Sequence, residues 1–438
     1  MTEINEPQTI TIPELLAPAG TMEKLITAIH YGADAVYLGG KDFSLRARAG
    51  NFDNPGISRA IAYAHDRGKK VYITLNIFAH NRDLTGLETY LVFLRDAGAD
   101  GLIVADPGIL FICCQVVPEL PIHLSTQANV TNQASARFWA SQGVVRLNLA
   151  RELGLEEIEE IRQATGIELE VFVHGALCIS YSGRCMLSHY FTGRDANHGD
   201  CAHPCRYSYA LVEGKRPDQQ FPVEEDERGT YIFNSRDLCL LGRLPELVNA
   251  GVDSIKIEGR MKSMGYVGAV VRVYRAALDY IEKSLEKNME KSSGKNKGQK
   301  IFSSNGLAEL VLPRSFRNEI NKIGTRGQTE NFFDAPPSND AMLYDTMRIN
   351  QPFAPVGIVR ENEPLLIEAR NVLETGDQIE YLGRELEPVV CAVKSMTTVE
   401  GRSTDRANPG NRVIITTDPV VKDPEIHAIF RKQLLPVS

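Results

Sequence analysis

The chain has 438 residues, 43% hydrophobic and 24% charged, enough to bury a large core and to form two or three domains. Its formal net charge of -8 excludes a surface coated in positive charge for nonspecific nucleic-acid binding, although not a local basic groove. Eight cysteines are too few for a disulfide scaffold of this length, the N-terminus lacks a basic stretch followed by an apolar one, and no apolar run reaches a membrane span; a cytoplasmic protein with reduced thiols and no membrane partner is expected.

In chain order, the N-terminal two-thirds repeat one unit, an apolar strand followed by an amphipathic helix that ends in glycine. The glycines recur in AIHYGADAVYLGG, LRDAGADGLIVAD, ASQGVVRLNLA and VNAGVDSIKIEG, each a helix C-cap leading into a strand. Strands are predicted over 14–18, 35–39, 71–77, 101–105, 122–125, 145–149, 169–173 and 254–257. Eight such runs, most separated by helical patterns, fit an α/β fold of the (β/α)8 TIM-like barrel type over residues 1–286 better than an open sheet. No G-x-G-x-x-G follows the first strand, which removes the main sign of a dinucleotide site.

The seventh strand, ELEVFVHG, is followed by an excursion over about 176–231 before the pattern resumes, so a cysteine-rich insertion is expected at the barrel's catalytic rim. A last helix runs out into SSGKNKGQK, whose composition cannot pack a core; residues 287–350 read as a linker and connecting segment, with a basic finger that touches nucleic acid as the alternative. From 351 to 438 the texture changes to APVGIVR, LLIEARN, DQIEYLG, VVCAVKSM and RVIITTD, broken by turn signals, which predicts a small C-terminal β-barrel domain. Small barrels often bind RNA, but a fold alone does not establish that.

Within the insertion, Cys178, Cys185, Cys201 and Cys205 are spaced C-x6-C-x15-C-x3-C. Four thiols in one short, glycine-containing polar segment can converge as thiolates on an ion or cluster. The spacing lacks the paired C-x2-C knuckles of a zinc ribbon, which favours an iron-sulfur cluster of the 4Fe-4S type over zinc. The bland alternative is a set of buried thiols, but these positions lie among arginine, histidine and serine. Cys113 and Cys114, in the apolar helix LFICCQVV, read as core.

In such a barrel, chemistry sits at the C-terminal ends of the strands. The polar residues there are Asn76, Asp106, Gln127, Asn148, His174, Asn234, Glu258 and Arg260. Glu258, between Lys256 and Arg260 in SIKIEGR, is a candidate catalytic carboxylate or one half of an ion pair closing the barrel. His174 is a candidate proton carrier or a satisfied core histidine. Arg46 and Arg48, in SLRARAGNF, are placed to bind a carboxylate or phosphate through bidentate guanidinium contacts, against a plain solvated loop. For a protease the sequence offers no G-x-S-x-G elbow and no H-E-x-x-H pair; Cys178 near His174 could imitate a thiol dyad, unless a metal holds the thiol.

The run EVFVHGALC over 170–178, followed by GRCMLS over 183–188, resembles the signature of the collagenase-like peptidase family U-thirty-two, as do ELLAPAG, GADAVYLGG and KIEGR. The resemblance covers nearly the whole chain, and it implies oxygen-independent hydroxylation of tRNA, of ribosomal RNA or of a quinone precursor, with a cluster on the four cysteines. Members most similar in CISYSGRC, RDANHGDC, HPCR and NSRDLC use prephenate to form 5-hydroxyuridine at the tRNA wobble position. The resemblance therefore implies tRNA and prephenate as partners, leaves room for a partner protein, and keeps the protease of the family's historical name as the alternative. Prephenate carries two carboxylates, which Arg46, Arg48, Arg184 or Arg260 would meet beside the cluster. Cys239, in NSRDLC, is a fifth candidate ligand. One departure from the family's pattern is ENFF over 330–333, where a glycine is expected before the aromatic pair.

Overall fold

The structure, a computed structural model, describes residues 10–434 apart from 46–49, 179, 181–184, 186, 195, 197–198, 205–210, 213–219, 222–223, 227–228, 232–233, 293–306, 308–309, 326, 335–341 and 344–350. Eight parallel strands close into a barrel: β1 (Glu14–Pro18), β2 (Ala35–Gly39), β3 (Lys70–Leu75), β4 (Gly101–Val104), β5 (Ile122–Leu124), β6 (Arg146–Asn148), β7 (Glu168–Gly175) and β8 (Ser254–Ile257). Each pairs with the next, and β8 closes the ring by pairing with both β7 and β1, with Ser254 opposite Glu170 on one side and Glu14 on the other. Around it run α1 (Met22–His30), α2 (Asn54–His65), α3 (Leu87–Asp96), α4 (Pro107–Val116), α5 (Gln133–Ser141), α6 (Leu155–Ala164), the short α7 (Leu187–Thr192) in the insertion, α8 (Leu244–Asn249) and the long α9 (Met264–Ser292).

The glycine rhythm has the expected cause. Gly32, Gly98, Gly143 and Gly251, one from each repeat, adopt φ of 95°, 84°, 85° and 73°, the left-handed turn that ends a helix and that a side chain resists. Side chains alternate between the outer layer, where the strands meet the helices, and a separate inner cluster that holds Leu16, Tyr37, Tyr72 and Ile103.

The lower barrel interior is charged rather than apolar. Arg146 donates to Glu14 at 2.6 Å and to Glu168 at 2.8 Å, and Lys256 donates to Glu170 at 2.7 Å. Every one of these groups except Glu168 is largely buried, so each charge is tolerable only because its partner is present.

A second, smaller barrel follows: β9 (Phe353–Glu361), β10 (Leu366–Ala369), β11 (Gln378–Leu382), β12 (Val389–Thr398), β13 (Arg412–Asp418) and β14 (Ile429–Gln433). The spatial order is β11-β14-β9-β10-β13-β12, with β12 returning to β11, all antiparallel. The sequence pattern missed β14, in which Arg431 and Lys432 interrupt the apolar alternation.

Arg431 is nonetheless buried, because it belongs to the seam between the two barrels. It donates to Glu380 at 2.7 Å and to Glu319 at 2.8 Å, and Glu319, on α10 (Arg314–Asn321), also pairs with Arg272 of α9 and with Lys322 at 2.7 Å. Tyr31 stitches the same seam: its hydroxyl donates to the Leu382 carbonyl and accepts from the Ile429 N–H, both at 2.9 Å. Burial pushes the Glu319 carboxyl up, but Arg431, Lys322 and Arg272 together outweigh it and hold the group below the ordinary carboxylate range. Among the described residues no helix is long and apolar enough to cross a membrane.

Candidate functional site

A cavity of about 140 Å³ opens at the C-terminal ends of the barrel strands, where it is lined both by strand ends and by the cysteine segment. Asn76 follows β3, Gln127 follows β5, Asn148 ends β6, and Lys256, Glu258 and Arg260 come from β8 and the turn after it. Cys178, Cys185 and Cys201 of the insertion line the same cavity.

The insertion is held by its own polar contacts. Ser188 of α7 is fully buried and accepts from the Ala202 N–H at 2.9 Å, while Arg194 grips Asp200 at 2.9 Å and the Cys201 carbonyl at 3.3 Å. The sulfurs receive backbone donors: Ser180 N–H points at Cys178 Sγ at 3.4 Å, and His203 N–H at Cys201 Sγ at 3.3 Å. Such bonds stabilise sulfur most when it carries negative charge, as a thiolate ligand does. By contrast, burial pushes the Cys113 thiol up to about 12, and raises Cys239 and Cys391 as well. None of those three lines the cavity.

As a donor set, thiolates on one cavity wall with N–H groups aimed at sulfur suit an iron-sulfur cluster. Cys205 lies outside the described residues, and among the described residues no three histidine, cysteine, aspartate or glutamate side chains converge as a metal-binding group. Cys178, Cys185 and Cys201 thus share a cavity without closing on a common point.

Arg260 is 3% exposed and reaches across the rim, donating to Ser44 Oγ at 3.0 Å, Thr74 Oγ1 at 3.2 Å and Asn51 Oδ1 at 2.5 Å. It therefore ties the turn after β8 to the loop after β2 and to the end of β3 while presenting a cation to the cavity. Glu258 lines the cavity and takes its position from β7: its N–H donates to the His174 carbonyl at 2.8 Å, and its own carbonyl would stand 2.5 Å from a Cβ at Gly175, whose φ is 114°. Only glycine fits there without moving Glu258.

His174 does not line the cavity. It is 4% exposed and packs against Tyr266 and Tyr274. The Tyr274 hydroxyl has one proton, directed at the Val173 carbonyl at 2.8 Å, which leaves His174 Nδ1, 3.3 Å away, to donate to the phenol oxygen. Burial lowers its pKa to about 4, Asp237 opposing and Lys262 reinforcing. The bland alternative of a satisfied core histidine is the one this geometry fits.

Unfolded, that imidazole takes up a proton near 6.5; folded, it stays neutral until about pH 4. Its contribution is complete above 6.5 and is lost as pH falls through the folded value. Urea denaturation should therefore show roughly 2 kcal/mol more loss between pH 7.5 and pH 5 for the natural chain than for His174→Gln. Equal losses in the two proteins would contradict this placement.

Asp106 caps α4, accepting from Gly108 and Ile109 N–H at 2.8 and 3.0 Å, and stands outside the cavity lining. Cys239 lies opposite His174 on an antiparallel strand, also outside it. Arg46, Arg48 and Arg184 lie outside the described residues, as does the side chain of Asn234 and most of SSGKNKGQK.

Among the cavity residues that the sequence pattern did not mark as site candidates are Arg151 and Lys256. Arg151 follows β6, and Lys256 points inward from β8, 4.6 Å from the Tyr37 ring centre. Lys256 lies inside β8 and Arg151 three residues beyond the end of β6, so a search confined to polar residues directly at the strand ends passes over both. The departure at ENFF also finds its reason: Asn331 adopts φ 55°, a backbone a glycine would take easily, and its Nδ2 donates to the Arg151 carbonyl at 2.8 Å.

Residues 20–342 match Peptidase family U32, and residues 353–427 match the Peptidase family U32 C-terminal domain. The chain is 36% identical over 399 residues to tRNA hydroxylation protein P1 of Bacillus subtilis (strain 168), covering 90% of this chain and 89% of that protein. It is 42% identical over 307 residues to tRNA hydroxylation protein P of Escherichia coli (strain K12), covering 61% of this chain and 68% of that one. A third relative, the 23S rRNA 5-hydroxycytidine C2501 synthase of the same strain, is 40% identical over 268 residues, which are 61% of this chain and 39% of that protein. With both its barrel and its β domain matched, the chain belongs to peptidase family U32.

Proposed function

We propose that this protein is an RNA-hydroxylating enzyme, and that its substrate is tRNA, with the wobble uridine converted to 5-hydroxyuridine. The observation that carries the reading is the cavity in which three cysteines of the insertion face the carboxamides and cations of the barrel rim. The relatives support it, since proteins named for tRNA hydroxylation match most of this chain's length. Replacing C5–H by C5–OH adds one oxygen atom and removes two electrons from the base, so the site must bind an oxygen source beside the nucleoside and must handle electrons.

Cys178, Cys185, Cys201 and Cys205 would hold a 4Fe-4S cluster, which when bound supplies one-electron transfer. The chain's own residues do the rest. Lys256, Arg260 and Arg151 bring positive charge to the cavity, suited to the carboxylates of prephenate as co-substrate, and Glu258 offers a carboxylate in the same cavity for proton transfer. Arg46, Arg48 and Arg184 are proposed to join this set.

A second reading, ribosomal RNA as substrate, is favoured by the cytidine-hydroxylating relative. Nucleoside mass spectrometry of both RNA classes separates them. In a strain deleted for this protein, tRNA 5-hydroxyuridine should vanish while ribosomal 5-hydroxycytidine persists if tRNA is its substrate, and blocking prephenate synthesis should copy the tRNA loss; a block without effect on tRNA would overturn the co-substrate assignment. A protease predicts no change in either.

A further inference from the structure

The cavity is lined by two chemically different sets of side chains: cations on Lys256 and Arg260, from β8 and the turn after it, and on Arg151, after β6, and neutral carboxamides on Asn76, Gln127 and Asn148. Two of these amides are engaged with their surroundings. Leu45 N–H donates to Asn76 Oδ1 at 3.2 Å, Asn76 Nδ2 donates to Gln127 Oε1 at 3.4 Å, and Ser125 Oγ donates to the same Gln127 oxygen.

Asn148 differs. It is 1% exposed, and its Oδ1 has no hydrogen-bond partner among the described residues. Leaving a buried acceptor unsatisfied costs about 1–3 kcal/mol, so an amide oxygen held this way on a cavity wall marks where a donor on the ligand belongs.

An acidic co-substrate seeks the cations, which leaves the neutral carboxamides for an uncharged heterocycle whose edge alternates donors and acceptors. Uracil presents acceptor, donor, acceptor at O4, N3–H and O2; cytosine has an acceptor at N3. Resting on the RNA reading above, we propose that Asn148 accepts the N3–H of the target uracil and thereby selects uridine over cytidine, a specificity contact at the end of β6.

The test uses the full chain and a labelled anticodon stem-loop RNA, carrying either uridine or 3-methyluridine at the target position, with affinity read by fluorescence anisotropy. Methylation at N3 removes the donor, so binding to the natural protein should weaken by about tenfold, the value of one well-placed buried hydrogen bond. Asn148→Ala should bind the uridine RNA about tenfold more weakly and should no longer distinguish the two RNAs, whereas Asn148→Asp, which keeps an acceptor, should still prefer uridine. The inference is overturned if the natural protein binds both RNAs equally, or if Asn148→Ala retains the full preference. Should Asn148→Ala fail to fold, the comparison of the two RNAs on the natural protein still decides. No binding of the uridine RNA at all would remove the RNA reading itself, and this contact with it.

Discussion

Serine in place of Cys178 or Cys201 is expected to strip iron, sulfide and brown colour from protein purified without oxygen, and to abolish complementation of a deletion strain. Both residues line the rim cavity and their sulfurs receive a backbone N–H, and a serine hydroxyl cannot replace a soft thiolate on iron. Cys113→Ser should leave colour and activity intact, because Cys113 is a buried residue of α4 whose thiol burial keeps protonated. Cys239→Ser should do the same, since that thiol lies against Tyr274 behind β7 and outside the cavity. Stoichiometric zinc in place of iron in anaerobic protein would contradict the cluster. Equal bleaching by all four variants would show that colour reports folding rather than ligation.

The largest effect on stability is expected at the seam, not at the site. Glu319 is 3% exposed and answers Arg272, Arg431 and Lys322 at once, and Arg272 is fully buried. Removing that carboxylate leaves buried cations facing one another across the two barrels, with Glu380 alone to offset them. Glu319→Ala should therefore destabilise the protein by about 3–5 kcal/mol, the range for breaking one partner out of a buried ion network. Calorimetry should show the loss, and limited proteolysis should release the C-terminal domain from the barrel. Replacing Glu319, Arg272 and Arg431 together with apolar residues of similar volume should recover most of the stability; a single-site loss below 1 kcal/mol would show that water reaches the seam and screens it.

The barrel was legible because its punctuation is mechanical. A glycine such as Gly98 or Gly251 stops a helix by its left-handed backbone, and a fully buried strand follows, apolar throughout in β4 and alternating polar Ser254 and Lys256 with Ile255 and Ile257 in β8. The site was legible only in part. Strand-end polar residues such as Asn76 and Asn148 could be read as rim candidates, yet His174, equally a strand-end residue, turns away from the cavity into a pocket of tyrosines. Which way a side chain faces at a strand end depends on the irregular register between β7 and β8 at Lys256 and Ile257, which no sequence period records. For the same reason β14 was missed: Arg431 breaks the apolar alternation, and the carboxylates that make its burial tolerable lie 51 and 112 residues away.

RNA hydroxylation without dioxygen is tested most directly by quantifying 5-hydroxyuridine and its derivatives in tRNA from a deletion strain grown anaerobically. Without oxygen no oxygen-dependent route can mask the loss. These nucleosides are expected to disappear, to return with the natural gene, and to stay absent with the Cys201→Ser variant. Undiminished 5-hydroxyuridine in the anaerobic deletion strain would contradict the proposed function.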